Sequence, residues 1–357
     1  MTEINLIISA DSKIPIYKQI EEYLLEYIQK SPAGTKLPSY TEISGQFNIA
    51  VNTVRQAYNR LQNKGLIIQK AGRGTFINST SAADKKVSIF FNVGTPRDYF
   101  YDILAGISKG LNKYNIAAYS NFEYSDENQE KRILLSFFAS GIRDFIILPK
   151  NQLWGFYADL TGKGANIVFV NDYPRHKKSF SYVSTDDFTA CFNTGEAICK
   201  KKTPPYILLF SDLVPHAPFE NRLNGYIRAF HEARLRENID YFIIRYKAFD
   251  MNDFNRQMNE NTGRIKMASV IFCHSDYAAI NAINFLRRQK KIAVPDKIGV
   301  VGYADLLIGN FFDPPLTTIR QNGFAVGETG VEMLLKTTKK KQILLPCELV
   351  IRESCII

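Results

Sequence analysis

From Val87 to the end of the chain, short apolar runs alternate with amphipathic segments, and this rhythm restricts the fold more than any other feature of the sequence. The apolar runs occupy residues 87–91, 145–148, 167–170, 206–210, 269–272 and 298–301. The segments between them have helical spacing, as at Ile103, Ile107 and Leu111. Apolar strands that alternate with helices form parallel sheets covered on both faces. About ten strands are too many for one such sheet in a compact domain, so we predict an α/β domain with two lobes and two parallel sheets.

The first 77 residues follow a different pattern, that of three helices and a hairpin. Ile16, Ile20, Leu24 and Ile28 form an apolar helical stripe. The sequence Ser39-Tyr40-Thr41-Glu42 is a capping box, which predicts a second helix up to about residue 47. A third helix is expected over about residues 52–64, and residues 66–69 and 75–77 alternate around a turn at 71–74. This order predicts a winged helix-turn-helix.

These patterns divide the chain into three parts. We expect a winged helix-turn-helix domain over residues 1–77, a linker rich in Ser, Ala and Lys over 78–86, and the two-lobed domain over 87–357. The first lobe should contain about residues 87–184 and 322–336. The second lobe should contain about residues 185–321 and 343–357.

The basic charge of the chain is concentrated in its first domain. The formal net charge is +10 and the isoelectric point is about 9.2. Between Lys36 and Thr80 the sequence has six basic residues and one acid, whereas the preceding residues carry more acids than bases. A local positive field of this kind favours an anionic macromolecule, and on a winged helix-turn-helix that partner is double-stranded DNA.

Other residue types point to a reduced, intracellular protein. The five cysteines form no C-x-x-C pair, and the four histidines are scattered. No apolar run approaches the roughly 18 residues that a membrane span requires. We therefore expect a cytoplasmic location, no membrane partner, no metal site and no cofactor.

Several sequence blocks carry a family resemblance. In the first domain they are Pro15-Ile16-Tyr17-Lys18-Gln19-Ile20, Gly34-Thr35-Lys36-Leu37-Pro38-Ser39, Asn52-Thr53-Val54-Arg55-Gln56-Ala57-Tyr58 and Gly72-Arg73-Gly74-Thr75-Phe76. These blocks resemble the GntR family of regulators, and the block at Asn52 is closest to its YtrA-type branch. The blocks at residues 219–226, 273–279, 294–303 and 314–321 are similar to the LacI/GalR effector domain, which has a periplasmic-binding-protein fold.

The resemblance implies where the first domain binds DNA. A recognition helix fits the major groove with its N-terminal residues at the base edges, and helix starts and wing tips contact phosphates or the minor groove. The implied DNA-binding residues are Lys36, Ser39, Tyr40, Asn52, Thr53, Arg55, Arg73 and Gly74. Arg55 can reach either guanine O6 and N7 or a phosphate. Since relatives often have arginines where this chain has Thr41 and Val51, the salt dependence per subunit should be modest. Half-sites with two-fold symmetry imply a homodimer.

The resemblance also implies a sugar-binding cleft between the two lobes. Aromatic faces pack on sugar C–H groups, and charged side chains bind neighbouring hydroxyls. The implied effector-binding residues are Tyr99, Phe100, Asp172, Arg222, Asp276 and Gln321.

Each of these side chains also has an ordinary structural explanation. Tyr99 and Phe100 could be helix-start packing, and Asp172 could cap the turn at Tyr173-Pro174. Arg222 could pair with Glu220 or Glu232 on the surface. Asp276 could cap a helix that starts at Tyr277. We expect His274, which lies at a neighbouring strand end, to be structural.

One position departs from the LacI/GalR pattern. Where relatives have Gly-Phe/Tyr-Asp-Asp, this chain has Gly302-Tyr303-Ala304-Asp305. The first aspartate often binds a sugar hydroxyl, so its replacement by Ala304 leads to the hypothesis that the sugar lacks a hydroxyl there, as a deoxy sugar does.

Taken together, the sequence predicts a DNA-binding transcription regulator, a repressor of a carbohydrate-utilisation operon that a monosaccharide or deoxy sugar releases, and not an enzyme. The alternative is a GntR-type regulator with an enzyme-like C-terminal domain that uses pyridoxal phosphate or modifies a sugar. Gly106-Ile107-Ser108-Lys109-Gly110 does match the G-x-S-x-G motif, but it lies inside an amphipathic helical pattern rather than on a strand-turn-helix elbow.

Overall fold

The computed structural model describes the chain in two compact units. The first contains residues 1–87 and 111–119, and the second contains residues 88–110 and 120–357. The described residues are 14–32, 34–63, 65–78, 86–91, 98–121, 126–149, 152–174, 179–200, 206–213, 216–247, 250–336 and 340–356. The predicted linker at 78–86 lies almost entirely outside them. No helix among these residues has both the length and the apolar character needed to span a bilayer.

The first unit has the predicted winged helix-turn-helix. Its elements are α1 (Ile16–Lys30), α2 (Tyr40–Phe47), α3 (Val51–Asn63), β1 (Ile67–Lys70) and β2 (Gly74–Ile77). The apolar stripe of α1 buries Ile20, Leu24 and Ile28. From α3, the side chains of Val54, Ala57, Tyr58 and Leu61 are buried as well.

Local chemistry sets the ends of these elements as the sequence predicts. The Ser39 hydroxyl accepts a hydrogen bond from the backbone N–H of Glu42, and the Glu42 carboxylate accepts one from the backbone N–H of Ser39. β1 and β2 pair in antiparallel register. Their turn contains Gly72 and Gly74, both with positive φ, which glycine adopts without steric cost.

Beyond the winged helix-turn-helix, the chain is built around two large sheets. A six-stranded sheet has the order β13-β7-β6-β5-β3-β4 and a four-stranded sheet has the order β11-β10-β8-β9, while β12 and β14 form a small antiparallel pair. The strands are β3 (Lys86–Phe91), β4 (Ala117–Asn121), β5 (Asp144–Leu148), β6 (Asn166–Val170), β7 (Ser181–Thr185), β8 (Ile207–Asp212), β9 (Tyr241–Tyr246), β10 (Val270–Cys273), β11 (Gly299–Val301), β12 (Thr318–Arg320), β13 (Gln342–Leu345) and β14 (Glu348–Val350).

Helices connect and cover these strands. They are α4 (Asp98–Asn112), α5 (Glu127–Ala139), α6 (Trp154–Gly162), α7 (Asp187–Cys199), α8 (Ala217–Glu232), α9 (Met251–Glu260), α10 (Thr262–Met267), α11 (Asp276–Asn284) with a π-helical turn at Phe285–Gln289, α12 (Leu307–Asn310) and α13 (Gly323–Lys336). The strands from β13 to β5 in the larger sheet and all four strands of the smaller sheet pair in parallel. The prediction of two lobes with parallel sheets is therefore confirmed.

The predicted boundary of the second lobe is wrong at one segment. We expected residues 343–357 in the second lobe, but β13 pairs in parallel with β7 in the six-stranded sheet of the first lobe. Its residues alternate between exposed and half-buried positions at the end of that sheet, so they lack the apolar run by which the other strands were recognised. The chain crosses to the second lobe only after Leu345, and β14 then pairs with β12.

The glycines of the G-x-S-x-G motif serve helix packing. Gly106 lies within α4, where a Cβ atom would come 2.0 Å from the backbone oxygen of Phe324 in α13. On the facing helix, a Cβ atom at Gly327 would come 2.1 Å from the backbone oxygen of Ile103. The two helices therefore cross so closely that only glycine fits at these points, and Ser108 lies in a helix instead of at a strand-to-helix elbow.

Candidate functional site: a DNA-reading surface and an interlobe cleft

The N-terminal turns of α3 present polar side chains to solvent. Asn52 and Arg55 are exposed and Thr53 is half-buried, whereas Val54 and Tyr58 point into the core. A helix that buries one face and exposes Asn, Thr and Arg at its first turns has the form of a recognition helix.

Arg55 is held against an aromatic ring from the preceding helix. Its guanidinium carbon lies 5.8 Å from the centroid of the Tyr40 ring, within the range of a cation–π contact. The Tyr40 ring meets the Tyr58 ring edge-on at 4.9 Å, and its hydroxyl accepts a hydrogen bond from the Gln69 side chain of β1. From its place in α2, Tyr40 thus contacts both α3 and strand β1 of the wing.

Lys36 and Gly74 form a second feature of this surface. A Cβ atom at Gly74 would come 2.8 Å from Cε of Lys36, so the lysine side chain lies directly over the glycine. Ser39, at the start of α2, uses its hydroxyl for the capping box and a contact with Thr41. Ser39 therefore fixes the start of α2, and Gly74 leaves room for the Lys36 side chain. Lys36 supplies the exposed charge.

The basic residues of the first unit differ in their availability. Arg60 pairs with the buried Glu21 at 2.5 Å between Nε and Oε2, so its charge serves the packing of α3 on α1. Lys36, Arg55 and the wing-tip Arg73 are exposed and make no ion pair with any residue that the structure describes. These three are the positively charged members of the predicted set of DNA-binding residues.

In the second unit, Arg222 of α8 is buried. Its guanidinium lies between two rings, 3.7 Å from the Tyr303 centroid and 5.1 Å from the Phe219 centroid. One terminal nitrogen donates to the backbone oxygen of His274 at 2.8 Å. The alternative of a surface pair with Glu220 or Glu232 is therefore wrong, and Glu232 pairs with Arg228 instead.

Asp187 is the acid that faces Arg222. Its Oδ1 lies 3.8 Å from Arg222 Nε and accepts hydrogen bonds from the Thr185 and Tyr303 hydroxyls. The Gln321 side chain donates to Thr185 Oγ1 at 2.8 Å and approaches Asp187 Oδ1 at 3.4 Å. Burial raises the pKa of the Asp187 carboxyl, and Arg222 opposes that rise.

Tyr99 belongs to the same neighbourhood. Burial raises the pKa of its phenol, the charge of Asp187 adds to this rise, and Arg222 opposes it. The Tyr99 and Phe100 rings lie 5.9 Å apart at the start of α4, and Tyr99 is the buried member. The structure therefore brings three predicted residues, Tyr99, Arg222 and Gln321, around Asp187.

Asp172 lies elsewhere and connects the two lobes. Its Oδ2 lies 3.1 Å from Nδ1 of His216, and its Oδ1 accepts from the backbone N–H groups of Tyr173 and Ala217. His216 is the N-cap residue of α8, so the carboxylate lies at a helix N-terminus. Beside it, Asn221 donates to the Tyr173 hydroxyl at 2.7 Å. The hydrogen bond to Tyr173 is the turn cap we considered, and the contacts with α8 add a link between lobes.

Asp276 is fully buried and fully bonded. Its Oδ1 accepts from the Thr318 hydroxyl at 2.5 Å and its Oδ2 from the backbone N–H of Leu306 at 2.7 Å. Burial raises the pKa of this carboxyl to about 6. The helix begins at Asp276 and not at Tyr277, and Ser275 caps it. Through its bond to Leu306, Asp276 therefore holds the segment after β11 in place.

Gln321 also lines a separate pocket with Ala304. This pocket has a volume of about 480 Å³, and its wall includes Asp305, Arg320 and Glu348. Arg320 bridges the two acids at 2.7 and 3.0 Å. Ala304 has φ +117°, which a residue with a side chain rarely adopts. Asp172, Arg222 and Asp276 do not line this pocket.

Sequence reasoning missed Asp187, Thr185, Tyr303 and His216 as members of the site. Thr185 ends β7, and Ser181–Thr185 has too few apolar residues to be recognised as a strand. An acid after a strand end is a useful signal only when the strand is known, so Asp187 had no context in the sequence.

Comparison with known proteins finds two family models that match parts of the chain. Residues 16–77 match the model for bacterial regulatory proteins of the gntR family, and residues 206–355 match the periplasmic binding protein-like domain. The chain joins a gntR-family regulatory domain to a periplasmic-binding-protein-like domain. It is therefore a DNA-binding transcription regulator.

Individual relatives have the same layout. Over 92% of this chain and 89% of its own length, an arabinose metabolism transcriptional repressor from Halalkalibacterium halodurans is 23% identical. A protein of the same description from Geobacillus stearothermophilus is 23% identical over 93% of this chain and 94% of its own. A LacI-family regulator from Enterococcus faecium with bound ribose is 19% identical and superposes with a TM-score of 0.64, covering 76% of this chain and 98% of that one.

Proposed function

We propose that the protein represses a carbohydrate-utilisation operon and that a monosaccharide releases it from its operator. The observation that carries this proposal is the buried polar cluster of Arg222, Asp187 and Gln321 in a chain whose other unit exposes Arg55 on a recognition helix. Polar groups are costly to bury without partners, so such a cluster favours a small polyhydroxyl ligand. The two arabinose metabolism repressors described above support a pentose.

The mechanism is a shift between open and closed lobes. Only a ligand with unequal affinity for the two states can change their populations. Sugar that favours the closed state alters the dimer contact and the spacing of the two DNA-binding domains, so operator affinity falls. Coupling of about 1–3 kcal/mol would change that affinity roughly 5- to 150-fold.

The protein acts as a homodimer in the cytoplasm, where its operator lies. A dimer is required because a two-fold-symmetric operator presents the same half-site twice. The second unit exposes adjacent apolar side chains at Leu307, Ile308 and Phe311 after β11, and Phe311 is 83% exposed. A second copy of the chain is the partner that suits this apolar segment.

Anisotropy of a labelled promoter fragment from the protein's own locus tests the proposal. At low ionic strength the protein should bind this fragment, and one sugar from a panel of pentoses and hexoses should release it. Arg55→Ala should lose DNA binding but keep sugar binding, whereas Arg222→Ala should bind DNA and resist release. The sugar should be recovered unchanged, which distinguishes a sensor from an enzyme. A protein that ignores promoter DNA, or that holds a covalent cofactor, would contradict the proposal.

A further inference from the structure

Asp187 and two side chains near it each have one polar atom that is buried without a hydrogen-bond partner. They are Oδ2 of Asp187, Nε of Arg222 and Oη of Tyr99. The residues are 1%, 6% and 7% exposed. The Thr185 hydroxyl lies near Tyr99, but Oη completes no hydrogen bond with a described residue. Such unpaired groups are rare in native proteins and each one requires an explanation.

These atoms belong to one neighbourhood. Asp187 Oδ1 lies 3.8 Å from Arg222 Nε, and the charges of both residues act on the Tyr99 phenol. The three groups comprise a carboxylate acceptor, a guanidinium donor and a hydroxyl that can do either. A single sugar hydroxyl donates one hydrogen bond and accepts two, so it matches what the three groups offer.

The second carboxylate oxygen is unpaired because of how Asp187 is held. Thr185, Tyr303 and Gln321 all direct their donors to Oδ1. These residues come from β7, from the segment after β11 and from the crossover after β12, so three parts of the chain fix the carboxylate orientation. A rigid, desolvated acceptor discriminates strongly between a ligand that has a hydroxyl and one that lacks it.

We propose that Asp187 is the sugar-selecting carboxylate of this buried cluster, and that its Oδ2 accepts a hydrogen bond from one hydroxyl of the effector. Asp172 and Asp276 are less suited to this role because protein donors already engage both oxygens of each carboxylate. This inference rests on the proposed sugar-releasable function.

A thermodynamic cycle that combines an Asp187 variant with deoxy sugars tests whether Asp187 binds one sugar hydroxyl. Titration calorimetry first measures the binding of L-arabinose, D-ribose and D-xylose to the full chain, and then of the 2-, 3- and 4-deoxy analogues of the tightest binder. For the wild type, removal of one particular hydroxyl should cost about tenfold or more in affinity. For Asp187→Asn, loss of the same hydroxyl should cost clearly less, whereas the other two deoxy sugars should show the wild-type ratio.

The controls are a variant of the neighbouring acid and a check that each variant has folded. Asp186→Asn changes the neighbouring acid, which caps α7 through Thr189, and should retain the wild-type pattern. A purely structural role of Asp187 would weaken all sugars by the same factor, and that outcome would overturn the inference alone. If the folded wild type binds none of the sugars, the proposed function fails first and the inference fails with it. Circular dichroism of each variant shows whether it has folded.

Discussion

At the scale of single residues, the first unit shows how an exposed arginine can be directed without an ion pair. The Tyr40 ring supports the guanidinium of Arg55, while Tyr58 and Gln69 fix the ring and hydroxyl of Tyr40. Tyr58 is itself held by a hydrogen bond of 2.7 Å to the backbone oxygen of Pro38. Arg55 therefore loses less side-chain freedom on binding than an unsupported arginine would, and pre-organisation of this kind improves affinity.

This support leads us to propose guanine, and not a phosphate, as the partner of Arg55, a choice that the sequence left open. A guanidinium held in one plane suits the O6 and N7 atoms of guanine. Arg55→Lys keeps the charge but loses the planar fork, so it should weaken operator binding by about 1–3 kcal/mol and leave binding to a scrambled duplex nearly unchanged. Anisotropy titrations with both duplexes at one salt concentration measure the difference. Arg60→Lys, in the same helix but paired with Glu21, is the matched control. Equal losses on both duplexes would indicate a phosphate contact.

At the scale of elements, the sequence predicted what local chemistry determines. The capping box of α2, the apolar faces of α1 and α3, and the apolar strands such as β6 and β10 are all confirmed. β7 and β13 were missed, because their stability comes from pairing and packing that only the assembled sheet provides. Part of the candidate site was missed for the same reason. Arg222 was found from its family motif, but its acid partner Asp187 follows one of the missed strands.

The N-terminus of α8 gives a prediction at this scale. The hydrogen bond from His216 to Asp172 raises the pKa of the histidine above its ordinary 6.5, partial burial opposes the rise, and Asp212 adds to it. Among the described residues, Gln152 and Phe219 also contact the ring, and both are neutral. The contact that raises this pKa joins the two lobes, so we expect protonation of His216 to stabilise lobe closure at low pH and this contribution to be lost as the pH rises through the raised value.

Sugar affinity should therefore fall as the pH increases from about 6 to about 8. His216→Gln should bind more weakly than the wild type at the lower pH and should show little dependence on pH. Calorimetry at the two pH values measures both effects. His231→Gln removes a histidine from the other end of α8, where it contacts the Tyr241 hydroxyl, and should keep the wild-type profile. An identical slope for the wild type and His216→Gln would show that closure does not depend on this pair.

At the scale of the whole molecule, sugar binding can control DNA binding only if a structural change couples the sugar site to the DNA-binding domains. In a monomer, each DNA-binding domain would contact one half-site whatever the state of its own cleft. In a dimer, affinity for the full operator depends on both half-sites being occupied together, so it depends on the geometry of the dimer contact. The dimer contact is therefore the part of the proposal on which regulation depends.

The apolar segment at Leu307, Ile308 and Phe311 offers the test. In a two-fold interface every residue occurs twice, and full burial of one phenylalanine contributes about 1.5–3 kcal/mol. Phe311→Asp therefore places two charges in the interface and should give a monomer in sedimentation experiments at micromolar concentration. Full-operator affinity should fall steeply, while sugar affinity should stay close to that of the wild type because Arg222 and Asp187 are unchanged. Met267→Asp alters an exposed apolar residue on α10 and should remain dimeric. A Phe311→Asp protein that stays dimeric would place the contact on another surface.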